Sequence, residues 1–385
     1  YLILFFSAPL IADFYSMPKL IPLTRVLTLN IIIYSFALVQ NTRLIIKLDF
    51  RTLAKVNIAG VLISGVFAII IAYLGYGVWA LVWQSLISSF TIVAFLWGFS
   101  RWKPSLKFSK QSFKQLFSFG SKLLGASIIA TVFDNIYKIC IGKYYAASEL
   151  GYFTQAKQYT DSASVTVTDI LNRVTFPILS SIQDDDKRLV SVYRKMLRMT
   201  SFIIFPIMTC LAILANPLVR FLLTDKWLPI VPLFQLLCFA RIVYPISALN
   251  NTILNVKGRS DLFLKLDIVH AVIAFIVLFF TLSVGIHAVV TGQLFCAIIY
   301  FFVDAYLPGK LFHFGVFRQF KELSKIMVAT IAMSVITYYS LILFSSPIAK
   351  LIVGGGTGII SYFAISYFLK IEEIQEFKNL LKRKN

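Results

Sequence analysis

The sequence holds 385 residues, 58% of them hydrophobic and 14% charged, with 36 Phe and 18 Tyr and a mean hydropathy of +0.81; that mixture excludes an ordinary soluble domain and reads as a polytopic membrane protein. The formal net charge of +20 raises nucleic acid as a partner, but basic residues beside apolar spans answer first to the membrane's orientation rule, so no nucleic acid is expected. Cys140, Cys210, Cys238 and Cys296 stand singly in apolar runs and His270, His287 and His313 are scattered, so the expectation is no disulfide framework, no metal site and no cofactor.

Apolar runs of about 20 residues, the length that crosses a bilayer, predict twelve spans in chain order. They cover 2–12, 20–42, 52–74, 77–99, 116–140, 150–178, 190–214, 229–256, 261–283, 287–307, 323–344 and 348–370. The chain opens on Tyr1 with neither a basic n-region nor a cleavage site, which leads us to expect an upstream segment rather than a signal peptide. Connecting segments 43–55, 100–114, 179–198, 256–265, 308–325 and 370–385 hold 26 basic residues, whereas the alternate set holds only Lys19, Lys143, Arg220, Lys226 and Lys350. The basic set is therefore predicted to be cytoplasmic. Six basic residues remain inside spans: Arg25, Lys122, Lys138, Lys157, Arg173 and Arg241.

Residues 22–75 laid over 232–285 agree at 13 of 54 positions without a gap, among them Pro22/Pro232, Tyr34/Tyr244, Asn41-Thr42/Asn251-Thr252, Lys47/Lys257, Lys55/Lys265 and Gly75/Gly285. Six spans separate the copies, an even number, so both have one orientation and are related by an axis along the membrane normal. The expected all-α architecture is two six-helix lobes plus a C-terminal helix pair, with two helices missing upstream and twelve of about fourteen present. Its divisions are 1–115 (N-terminal lobe and linker), 116–307 (C-terminal lobe) and 308–385 (extra helix pair and basic cytoplasmic tail).

The span 150–178 is the most polar. A fixed charge near the bilayer centre costs roughly 2.5–3.5 kcal/mol, so Lys157, Asp161, Asp169 and Arg173 are tolerated only where they face protein or a water-filled cavity. Lys157/Asp161 and Asp169/Arg173 are each four apart, as are Asp134/Lys138 in the preceding span, a spacing at which opposite charges meet on one helix face. One reading is mutually neutralised packing. The other is the wall of an aqueous cavity, favoured by the spread of Thr154, Gln155, Gln158, Ser162, Ser164, Thr166, Thr168 and Asn172 around the helix. Arg241 lies mid-span with no acid within four positions; it is the leading candidate for an anion contact, with an interhelical salt bridge to Asp134, Asp161 or Asp169 as the alternative. Arg25, Lys122 and Arg173 lie nearer span ends, where long side chains also snorkel. Weighing these six cations against Asp134, Asp161 and Asp169 as the acids favours an anionic substrate. The run "VGGGTG" at 353–358 lacks the Lys-Ser/Thr of a phosphate loop, and close helix packing through Gly354 and Gly358 is expected instead. Pro206 and Pro245 fall within spans and are expected to kink them.

At "ELGYFTQAKQY" (149–159), "FPILSSIQDDDKRL" (176–189) and "NPLVRFLLTDKWLPIVPLFQLL" (216–237), the sequence resembles the polysaccharide-transporter family of lipid-linked oligosaccharide and O-antigen flippases, within the multidrug/oligosaccharidyl-lipid/polysaccharide exporter superfamily. The resemblance implies a two-lobed, fourteen-helix bacterial inner-membrane transporter, not an enzyme and with no catalytic residue. It implies movement of undecaprenyl-pyrophosphate-linked repeat units of lipopolysaccharide or capsule by alternating access, with the C-terminus cytoplasmic. Arg241, Lys157, Arg173, Lys122, Lys138 and Arg25 are then candidate substrate-cavity residues, and Asp134, Asp161 and Asp169 candidates for coupling to H⁺ or Na⁺ or for gating. Membrane lipids are the remaining partner. The competing readings are a multidrug cation antiporter of the same superfamily and a membrane polysaccharide polymerase or glycosyltransferase.

The loop asymmetry predicts that cysteines placed at Ser105 and Ser260 react with a membrane-impermeant thiol reagent only from the cytoplasmic side, and one at Ala147 only from outside. Labelling of Ala147 from the cytoplasm contradicts the orientation.

Overall fold

The computed structural model describes residues 1–100 and 108–374, apart from the side chains of Phe119, Ala126 and Ser260; Ser105 and part of the basic segments 100–114 and 370–385 lie outside these. Every described element is helical: α1 (Leu2–Phe14), α2 (Leu20–Leu27), α3 (Leu29–Ser35), α4 (Leu38–Ile46), α5 (Phe50–Tyr73), α6 (Trp79–Ser100), α7 (Lys110–Tyr144), α8 (Ala147–Ser180), α9 (Asp186–Ile213), α10 (Ala215–Leu223), α11 (Ile230–Val256), α12 (Ser260–Thr281), α13 (Ile286–Phe312), α14 (Val316–Ile342) and α15 (Pro347–Phe368). Among them, nine are long and apolar enough to cross a membrane, and the bent segment from α2 to α4 makes a tenth if it is one span. This is a multi-pass membrane protein. The remaining two expected spans differ in kind: α1 has only 13 residues, and α8 runs over 34 but is too polar to qualify. Length and composition thus support ten crossings of the twelve expected.

Two further departures have local causes. The expected span 20–42 is broken, with a 45° bend between Leu20–Ser35 and Leu38–Ile46. At that break the Ser35 hydroxyl donates to the Ile32 carbonyl at 2.6 Å, and at the α2–α3 junction the Thr28 hydroxyl donates to the Thr24 and Arg25 carbonyls at 2.8 and 3.2 Å; such back-bonding competes with the helical ladder. The expected external loop 215–228 folds as α10 and a 3-10 turn, Asp225–Trp227. Elsewhere the sequence sets its own boundaries: Asp49 caps α5 by accepting from the Thr52 amide at 3.0 Å and hydroxyl at 2.7 Å, which holds its carboxyl below the usual aspartate value.

The packing divides the chain after Ile128, inside α7. In the first unit α5 and α6 form an antiparallel pair, with α2, α3 and α4 against α6 and α1 against α2; Asn30 of α3 donates to Ser85 of α6 at 2.8 Å. In the second, α11 is central, contacting α8, α9 and α13, while α14 and α15 pair and α14 packs on α9. A fully buried polar knot ties three of these helices. Gln319 of α14 donates to Asn250 of α11 at 3.0 Å and to the Tyr193 hydroxyl of α9 at 3.1 Å, and Tyr193 in turn bonds Asn250. Buried amides so satisfied fix helix register. Gly75 and Gly285, matched in the internal alignment, both carry positive φ, 84° and 139°, values 55° apart, each in the turn before the next helix.

Glycine at 354 permits the α14–α15 approach. A Cβ there would lie 2.6 Å from a Leu341 methyl and 2.7 Å from a Leu214 methyl, whereas one on neighbouring Gly355 would meet nothing within 4 Å. Gly354→Leu is therefore expected to cost about 1–3 kcal/mol by overpacking and to lower the melting temperature in detergent, with Gly355→Ala close to wild type. Equal stability of the two variants contradicts close packing at Gly354.

Candidate functional site

The polar helix α8 divides its polarity between two jobs. Phe153, Ala156, Thr160, Ser164, Thr168, Thr175 and Leu179 recur at helical spacing and are buried, forming a seam against α11. Small residues allow this approach, and their hydroxyls are satisfied by nearby carbonyls: Thr160 to Ala156 at 3.0 Å, Thr168 to Ser164 at 2.8 Å, and Ser164 across the seam to the Arg241 carbonyl at 3.0 Å. Ser164 and Thr168, counted toward an aqueous wall in the sequence, thus belong to packing. Gln158, Ser162 and Thr166 are exposed.

One turn along from the seam sits an ion triad. Asp161 takes Lys157 on one oxygen at 2.7 Å and Arg241 on the other at 2.6 Å, the arginine reaching over from α11 in an ion pair whose N–H is not aligned as a hydrogen bond. All three side chains are 20–28% exposed. Two cations on one carboxylate leave a local excess of one positive charge. The Arg241 guanidinium also lies 5.6 Å from the Tyr244 ring centroid, a cation–π distance that restricts where it can swing.

Lys157 and Arg241 open onto a cavity of about 640 Å³ within the second unit, walled by α7, α8, α11, α12 and α13. Its α11 face carries Tyr244, Asn251 and Thr252, the polar positions matched with Tyr34, Asn41 and Thr42 in the internal alignment. Acids line it as well: Asp134 on α7, Asp267 on α12 and Asp304 on α13. Asp304 is wholly buried and 3.0 Å from His270 Nε2, without hydrogen-bond alignment at either of its oxygens. The Tyr300 hydroxyl donates to the His270 carbonyl at 2.9 Å, and the two rings lie 4.2 Å apart. Among the described residues no three His, Cys, Asp or Glu converge as a metal would require.

These acids correct the charge tally drawn from the sequence. Asp267 and Asp304 fall inside the predicted spans 261–283 and 287–307 but were not weighed there, so the spans as a whole do not carry a two-to-one cationic excess. What the cavity has is both signs, with Lys157 and Arg241 as cations and Asp134, Asp267 and Asp304 as acids. A lone acid in an otherwise apolar run is itself the mark of an intramembrane functional position, and that signal would have found Asp304.

The other sequence candidates scatter. Asp134 lines the cavity but forms no ion pair with Lys138 among the described residues, and Asp169 and Arg173, both exposed, likewise do not meet; (i, i+4) spacing permitted these pairs without producing them. Arg25 belongs to the first unit, where its guanidinium lies 4.4 Å from the Phe5 ring centroid and its Nε points to the Phe5 carbonyl at 3.4 Å. Lys122 is exposed on α7 beside Gln115 and Ser118. Of the nine candidates, Lys157, Asp161 and Arg241 are brought into contact.

Removing Asp161 strands two cations. Asp161→Ala is expected to destabilise by about 1–3 kcal/mol, less than a fully buried pair would lose because the site is partly hydrated. Asp169→Ala is expected within about 0.5 kcal/mol of wild type. Thermal unfolding in detergent compares them, and equal losses contradict the triad.

Comparison with known proteins agrees with this architecture. The chain is 26% identical over 349 residues to the teichuronic acid biosynthesis protein TuaB of Bacillus subtilis (strain 168), covering 88% of this chain and 71% of that protein. It is 24% identical over 270 residues to the lipopolysaccharide biosynthesis protein WzxC of Escherichia coli (strain K12), covering 69% of this chain and 54% of WzxC, and thus spans only about half of that relative. It is also 24% identical to the succinoglycan biosynthesis transport protein ExoT of Rhizobium meliloti (strain 1021), over 62% of this chain and 48% of ExoT. The fold matches that of the lipid II flippase MurJ in an inward closed conformation, with a TM-score of 0.70 at 16% identity over 96% of this chain and 80% of MurJ. Residues 1–232 match the polysaccharide biosynthesis protein family, and the chain belongs to that family.

Proposed function

We propose that this chain moves a lipid-linked polysaccharide repeat unit across a bacterial inner membrane, with its C-terminus in the cytoplasm and without covalent change to the substrate. The observation that carries this reading is the pairing of Arg241 and Lys157 with Asp161 at the edge of a wide polar cavity, in a chain of a polysaccharide biosynthesis family. A polyprenyl pyrophosphate is a doubly anionic head on an apolar tail. The head needs cations that can be released to it, and the tail can stay in lipid. Asp161 supplies such a reserve: it pairs with both cations and offsets one of their two charges, since unpaired charge in a membrane is costly, and yields them when a diphosphate offers shorter, charge-assisted bonds.

The names of ExoT, a transport protein, and MurJ, a flippase, support movement over chemistry, so we read the chain as a transporter and not an enzyme. Alternating access of the cavity to the two sides of the membrane is the associated mechanism, with 1–115, 116–307 and 308–385 as the parts of the chain. Movement in one direction requires coupling to consumption outside or to an ion gradient. The acids Asp134, Asp267 and Asp304 are the place for H⁺ or Na⁺ in this scheme, and Asp161 is a salt-bridge switch.

Those same acids are what favour a multidrug cation exporter as the second reading. Equilibrium binding separates them: Arg241→Gln with Lys157→Gln is expected to weaken binding of undecaprenyl pyrophosphate by at least about tenfold, two charge-assisted bonds being lost, and to leave a quaternary ammonium probe unaffected. Unchanged pyrophosphate binding, with tight binding of the ammonium probe, supports the drug reading instead.

A further inference from the structure

Outside the cavity, basic residues from three segments converge on one pocket of about 600 Å³. They come from the first turns of α9, from the start of α14 and from the residues just past α15. Its acids are already committed. Arg198 of α9 holds Glu322 at 3.0 Å, Glu372 at 2.7 Å and Glu373 at 2.8 Å, and Arg194 adds a second contact to Glu322. With all three carboxylates turned to these arginines, the other cations of the pocket are left over. Arg318, Lys321 and Lys325 stand at i, i+3 and i+7 along α14, which puts them on one face, and Lys370 joins them from beyond α15. None of the four meets a carboxylate among the described residues. Arg318 donates to the His313 carbonyl at 2.5 Å.

A second feature adjoins this pocket. Glu373 also lines an apolar groove of about 450 Å³ between α9 and α15, walled by Phe202, Ile203, Pro206, Ile207, Ile359 and Phe363. A cationic pocket that shares Glu373 with an apolar groove matches an amphiphile with an anionic head. A soluble anion would have no use for the groove, and an uncharged lipid none for the cations.

We infer that this pocket and groove bind an anionic membrane lipid, its phosphodiester headgroup held by Arg318, Lys321, Lys325 and Lys370 and one acyl chain lying between α9 and α15. Basic pockets between membrane helices suit such headgroups, and each cation near them adds appreciably to binding. The bound lipid lies against the Arg198 cluster that joins α9, α14 and the residues after α15, so it braces the terminal helix pair. The site is separate from the cavity of Arg241 and Lys157 and does not depend on what passes through it.

Native mass spectrometry of the purified full chain, offered phosphatidylglycerol or phosphatidylcholine in detergent, tests the inference. Wild type is expected to retain phosphatidylglycerol over phosphatidylcholine by at least about tenfold, and Arg318→Gln/Lys321→Gln/Lys325→Gln to lose that preference. Lys321→Arg/Lys325→Arg is expected to keep it, which separates charge from folding. The control Lys47→Gln/Arg51→Gln/Lys55→Gln removes as many basic charges elsewhere and is expected to keep it too. Equal retention of both lipids by wild type, preference surviving in the α14 triple variant, or equal loss in the control overturns the inference. Displacement of the lipid by excess inorganic phosphate alone also overturns it, since the pocket then takes the free anion.

Discussion

Asp161 joins the two helices on which the polar half of this protein is organised. In water an aspartate beside a lysine and an arginine is worth little, because solvent screens each pair. Within a membrane-embedded unit, where the alternative is an unsatisfied charge, the same contact decides how α8 and α11 sit. The seam of Ala156, Thr160, Ser164 and Thr168 lets the helices close, and the Ser164 hydroxyl fixes register by bonding the Arg241 carbonyl. Arg241 then reaches Asp161 at 2.6 Å. Packing and charge thus specify the same arrangement, and the triad lies on the edge of the cavity because one side of α11 packs and the other is left open.

The mixed charge of the cavity accompanies that arrangement. Arg241 and Lys157 line it as cations, and Asp304, with His270 at 3.0 Å, lines it as an acid with Asp267 and Asp134. A single-signed cavity would bind one ion type tightly and release it slowly. One with both signs can trade an anionic head against a cation, provided occupancy at the basic residues alters the affinity at the acids. Asp304 meets the structural requirement for such a partner, being a wholly buried carboxylate 3.0 Å from His270 Nε2.

Much of this was legible in the sequence, and what was not has physical causes. Hydropathy located the helices because a bilayer demands long apolar runs, and Arg241 stood out because it had no acid on its own helix. Its partner was left open among three aspartates, since contacts between helices depend on rotation and register that periodicity does not supply. The (i, i+4) rule succeeded for Lys157–Asp161 and failed for Asp134–Lys138 and Asp169–Arg173; spacing sets proximity, while rotamers and neighbours decide contact. The bend between Leu20–Ser35 and Leu38–Ile46 follows the Ser35 hydroxyl bonding back to the Ile32 carbonyl, a local contact that composition does not reveal. Asp267 and Asp304 were visible as letters, yet they acquire meaning only when α12 and α13 bring them to one cavity with His270.

The most direct test is translocation by the purified protein in sealed proteoliposomes, following a fluorescent undecaprenyl-pyrophosphate oligosaccharide from one leaflet to the other with and without an imposed proton or Na⁺ gradient. The account predicts protein-dependent movement of chemically unaltered substrate, accelerated by a gradient and lost when both Arg241 and Lys157 are Gln. Movement at the wild-type rate in that double variant, or recovery of a covalently changed sugar lipid, would contradict it.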